Sequence, residues 1–92
     1  GGPDARSRDV IVLFAPERAG LEERFDEARR LLAWDGGLWV AWPKKSSPLA
    51  SDLGKGEVRR VGLDAGLVDN KVCAVDEDWS GLRFVYRVED RP

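Results

Sequence analysis

The sequence predicts a layered α/β domain, a mixed sheet with helices packed against it, from three consecutive patterns. An apolar run at 10–15 has no alternation, residues 17–33 carry one apolar stripe at helical spacing, and a second apolar and aromatic run follows at 38–42. Strand, helix and strand in about 33 residues make a βαβ unit, whose strands are parallel and whose crossover is right-handed.

Residues 10–15 read VIVLFA, the continuous β-branched and aromatic run of a strand covered on both faces. Residues 17–33 place Leu21, Phe25, Ala28 and Leu32 at steps of four, three and four, one stripe along a helix. Pro16 suits the first turn, where no amide hydrogen is needed, and Asp26 with Arg30 adds an i,i+4 pair. Asp35, Gly36 and Gly37 are a turn signal that ends the helix and releases the chain into LWVAW at 38–42. The stretch PKKSSPLAS at 43–51 is a loop by composition, and Ser51 or Asp52 can cap a second helix with Val58, Val61 and Ala65 on one face. Gly54, Gly56 and Gly62 each cost that helix up to about 1 kcal/mol against alanine, and Gly66 is its expected stop. VDNKVCAV at 68–75 and LRFVYRV at 82–88 read as strands joined by a turn containing Asp78, Ser80 and Gly81. In the last strand Leu82, Phe84, Tyr86 and Val88 alternate with Arg83, Val85 and Arg87, one core face and one wetter face. The expected order is β-α-β-α-β-β, closing on a C-terminal antiparallel hairpin.

Ninety-two residues, 42% hydrophobic and 35% charged, fit one globular domain with a thin core. Residues 1–8 read as a flexible leader and 9–90 as the single α/β domain, which can be the C-terminal part of a longer protein. A net charge of -2 gives no global attraction for nucleic acid or an anionic membrane, and no apolar run reaches the roughly 20 residues of a membrane span. No nucleic-acid or membrane partner is expected. Cys73 is the only cysteine and histidine is absent, which removes intrachain disulfides, thiol metal clusters and the commonest general base, and fits a cytoplasmic setting.

Three strings, GGLWVAWPKK at 36–45, DL at 52–53 and GLVDNKVCAVDEDWSGLRFVYR at 66–87, resemble a family of bacterial proteins defined by a domain of unknown function. The strand opening after Gly36 and Gly37, followed by a helix and a closing hairpin, also resembles the second, C-terminal half of a Rossmann-like class I methyltransferase domain over about 9–88. That resemblance implies a layered Rossmann-like mixed sheet whose last strand inserts between the second and third. The glycine-rich strand-to-helix turn that cradles the methyltransferase cofactor is missing from this sequence. No cofactor, metal or catalytic residue is therefore assigned within it.

Ligands of open α/β sheets collect outside the carboxyl ends of parallel strands, here Ala15 with Pro16, the 42–47 loop, and the 76–80 turn, which are expected to share one edge. On that edge Trp42 and Trp79 can supply aromatic walls, Lys44 and Lys45 can meet a phosphate or carboxylate, and Ser46 or Ser47 can add a hydroxyl. The plainer reading is a solvated loop whose lysines are neutralised by Asp76, Glu77 and Asp78, with Trp39 and Trp42 as core fillers. Asp69 and Lys71, two apart on a strand, are expected to pair, and Cys73, mid-strand, to be buried and inert.

Two functions remain. One is a non-catalytic Rossmann-like binding or interaction module that takes a small anion at the 42–47 loop. Because strand 1 is apolar on both faces yet has only strand 2 beside it, this module is expected to form a homodimer or to pair with a partner segment at its first strand. The alternative is part of a methyltransferase-like enzyme using S-adenosylmethionine, with the cofactor-binding half outside this chain.

Overall fold

The computed structural model describes residues 8–45, 48 and 52–90. Strand β1 (Arg8–Phe14) leads through a bend to helix α1 (Leu21–Leu31), which passes directly into β2 (Leu32–Pro43). Helix α2 (Lys55–Asp64), β3 (Leu67–Ala74) and β4 (Trp79–Tyr86) follow, and a 3-10 turn (Val88–Asp90) ends the described chain. The four strands form one sheet in the order β1-β2-β4-β3. β1 runs parallel to β2, while β4 is antiparallel to both β2 and β3. The result is a mixed, Rossmann-like α/β fold.

Both helices lie on one face of that sheet. Phe84 of β4 meets Phe25 of α1 edge-on, with ring centroids 5.2 Å apart, and the same ring abuts Gly62 of α2. Around this contact Leu21, Phe25 and Ala28 of α1, Val58 and Val61 of α2, and Leu38, Val40, Leu82 and Tyr86 of the sheet form a single buried cluster. The stripe read at steps of four, three and four is the face that docks.

Several boundaries differ from expectation for identifiable reasons. Pro16 precedes the helix by five residues, and α1 starts instead after Gly20, whose φ of 79° is the left-handed turn that glycine tolerates. Asp35, Gly36 and Gly37 do not form a turn between elements: they lie inside β2, where the pairing slips between Arg8↔Leu32 and Val10↔Gly37. Gly36 is required there, because a Cβ at that position would stand 2.6 Å from the carbonyl oxygen of Asp9. Gly54, not Ser51 or Asp52, caps α2. Its N–H donates to Glu57 Oε2 at 3.0 Å, whereas Asp52 accepts the N–H of Arg18 at 2.9 Å. Ser51 lies outside the described residues. Gly66, with φ 93°, ends α2 as anticipated, and Val88 leaves the last strand and is exposed.

Candidate functional site

Alternation along the strands sorts the strand-borne side chains, Trp42 and Trp79 among them, onto one of two faces. Leu38, Val40 and Trp42 point to the helices, and Trp42 is 5% exposed within the core. Trp39, Ala41 and Pro43 therefore point to the opposite face, as do Gly81 and Trp79 of β4, since Trp79 pairs with Pro43 and Gly81 with Ala41. The expectation of Trp42 and Trp79 as two walls of one pocket is corrected here, because an odd separation from Trp39 places Trp42 on the helix side. Trp79 stacks edge-on against Phe14 of β1 at 5.6 Å instead.

The carboxyl ends of the parallel strands do meet at one edge. The N–H of Ala15 donates to Ala41 O at 2.8 Å, and the N–H of Lys44 to Asp78 O at 2.7 Å, tying β1, β2 and the turn after β3 together. Asp76 shapes that turn by accepting the N–H groups of Asp78 and Trp79 at 2.8 and 2.9 Å. Lys44 is half-buried and Lys45 exposed. Lys45 reaches over the start of α2, where a methyl on Gly54 would stand 3.2 Å from its Cε. Among the described residues neither lysine forms an ion pair with Asp76, Glu77 or Asp78, so the expected neutralisation across this edge is absent. Ser46 and Ser47 lie outside the described residues.

The sheet face turned away from the helices is the larger feature, and sequence reasoning missed it. Val10, Val12 and Phe14 of β1 are 65, 50 and 51% exposed and Val75 is 49% exposed. With Trp39, Ala41 and Gly81 they line a shallow groove of about 410 Å³. Cys73 also lines it and is exposed, not buried, because β3 is an edge strand and neither α1 nor α2 covers this side. Two cations flank the apolar floor. Arg83 extends across Gly37, a position with no room for a side chain, and Lys71 lies directly opposite Arg83 on β3. The expected Asp69–Lys71 pair is undone by an irregularity between them in the β3 register, which sends the two side chains to opposite faces. Asp69 bonds Arg59 of α2 at 3.1 Å instead. The cue available in the sequence was the alternate series Val10, Val12 and Phe14, read as doubly covered although only one helical layer was in sight.

Among the described residues no group of three or more aspartate, glutamate, cysteine or histidine side chains is placed to hold a metal ion, and no helix is long and apolar enough to cross a membrane.

No protein-family model matches the chain, and neither does any curated protein. A solved structure, that of the PH0226 protein from Pyrococcus horikoshii OT3, is similar to it with a TM-score of 0.65 at 13% identity. The match takes in 94% of this chain and 55% of that one, so the chain spans about half the length of the structure it resembles. At this identity the likeness is one of fold, and it fits a Rossmann-like, methyltransferase-like architecture.

Proposed function

We propose that this chain is a non-catalytic Rossmann-like interaction module that completes its sheet by pairing through β1, with a second copy of itself or with a segment of a partner. The supporting observation is the state of that edge. β1 pairs on one side only, and 10–14 is an unbroken apolar run in regular register, without the charge, proline or bulge that ordinarily blunts a free edge. Since the N–H of Ala15 points to β2, alternation turns the N–H groups of Val10, Val12 and Phe14 outward. On the helix side a hollow of about 420 Å³ beside Ile11, Leu13 and Leu31 gives an added strand somewhere to seat alternate side chains.

Val12→Pro tests the reading, because proline there removes an outward donor and leaves the β2 ladder intact. Sedimentation velocity over a concentration series is expected to show reversible association of the native chain, weakened about tenfold or more in the variant. A native chain that stays monomeric at high concentration, and captures no partner, would sink it.

The same module is read as taking a small anion at the 42–47 end, supported by Lys44 and Lys45, which form no ion pair among the described residues, and by the reach of Lys45 over the amino end of α2. Phosphate titration of native chain and the Lys44→Ala/Lys45→Ala double variant decides this; unchanged binding reduces the motif to a folding signature. A second reading, a methyltransferase-like enzyme whose cofactor half lies elsewhere, is favoured by the unmatched part of PH0226, which extends well beyond the shared region. Calorimetry of a longer protein containing this chain, titrated with S-adenosylmethionine, separates it from the first.

A further inference from the structure

We infer that the uncovered sheet face is the seat of an amphipathic helix supplied from outside these 92 residues, lying antiparallel to β1 and β2 with its amino end at the acidic 76–78 turn and an acidic carboxyl end over Arg83 and Lys71. This rests on the reading of the chain as an interaction module and names the class of partner.

Width favours a helix. The row Val10, Val12 and Phe14 on β1 and the row formed by Cys73 on β3 and Val75 just after it are three strand spacings apart, roughly 14 Å, against about 10–12 Å for a helix with its side chains. The floor between the rows is low, being made of Ala41, Gly81 and the Trp39 ring, whose Cε3 would lie 3.5 Å from a Cβ on Gly81. From Trp79 to Arg83 the groove runs about 13 Å, the rise of roughly nine helical residues. Parallel strands are ordinarily covered by helices on both faces, and here α1 and α2 both lie on one face while the other stays apolar.

Charge sets the direction. Arg83 and Lys71 have no acidic partner among the described residues, and neither do Asp76, Glu77 and Asp78 have a basic one. A helix carries about half a positive charge at its amino end and half a negative one at its carboxyl end, which matches the two ends of the groove in one orientation only. The chain cannot supply this helix to a second copy, since α1 and α2 bury their apolar stripes on the other face, and residues 1–7 (GGPDARS) carry no apolar stripe.

The test uses the 92-residue protein, labelled for NMR, and a synthetic helical peptide of about 14 residues with a leucine and alanine face, lysine in its first turn, glutamate in its last and a nitroxide at its amino end. Saturable shifts at Val10, Val12, Trp39 and Cys73, with broadening strongest at 75–79, are expected. The double variant Lys71→Glu/Arg83→Glu is expected to bind about tenfold more weakly and to recover with a peptide whose last-turn glutamates are replaced by lysine, its first turn unchanged. Absence of saturable shifts on this face, broadening centred on Arg83, or failure of the peptide with lysine in its last turn to rescue each overturns the inference. Concentration-dependent shifts at Trp39 and Cys73, away from the β1 edge, without peptide also overturn it, by making a second copy the occupant. Association through β1 without peptide binding removes this inference and leaves the edge reading standing; peptide binding by a strict monomer does the reverse.

Discussion

Alanine at Gly56 and alanine at Gly62 remove the same helix penalty of about 1 kcal/mol, but the two positions have different surroundings. Nothing stands within 4 Å of a Cβ on Gly56, whereas a Cβ on Gly62 runs into the ring of Phe84. Gly56→Ala is expected to stabilise the domain by up to about 1 kcal/mol. Gly62→Ala is expected to destabilise it by up to about 2 kcal/mol, an overpacking cost of about 1–3 kcal/mol less the helix gain of about 1 kcal/mol. Urea midpoints of the two variants moving in the same direction would contradict this. Both glycines were visible in the sequence as helix penalties, and what separates them was not, because only the docked α2 reveals which one faces β4. The same limit applied at Asp69 and Lys71: a separation of two promises a shared face only while the register holds, and it slips between them.

Tyr86 is a link between elements. Its hydroxyl donates to the backbone carbonyl of Arg29 near the carboxyl end of α1, while its ring packs against Trp34 at 4.6 Å. Tyr86→Phe is expected to cost about 0.5–1.5 kcal/mol and to leave the fold intact, read as a lower urea midpoint at an unchanged denaturant slope. Phe25→Ala, which empties the centre of the α1 contact with Phe84, is expected to cost about 3–5 kcal/mol. Against the roughly 5–15 kcal/mol available to a domain, that change populates the unfolded state. Elements with a strong apolar period were legible, since Leu21, Phe25, Ala28, Val58 and Val61 all face the core as their spacing requires. Element ends were less so. Gly36 and Gly37 carry the composition of a turn, but here their lack of side chains serves close approach, to Asp9 in one case and Arg83 in the other. Composition alone does not distinguish the two uses.

At the scale of the molecule the sheet is closed on one face and open on the other, and Cys73 reports which state the open face adopts in solution. An unbroken apolar strand such as 10–15 implies cover on both sides, and the covering layer cannot be located from a sequence whose helices all belong to the first side. The trace of it that was legible is the shortage of neighbours for β1. Cys73 is the sole cysteine, exposed, and lies on the groove wall across from Gly81. In the uncovered chain its thiol is expected to react with a neutral disulfide reagent at a rate close to that of the urea-unfolded protein, since access rather than unfolding limits the reaction. Occupation of the groove, by the helical peptide or by any larger partner, is expected to slow that reaction about tenfold or more, because modification must then wait for the partner to leave. Binding confined to the β1 edge leaves the Cys73 wall open, so association without slowing assigns the contact to the edge, and slowing assigns it to the face.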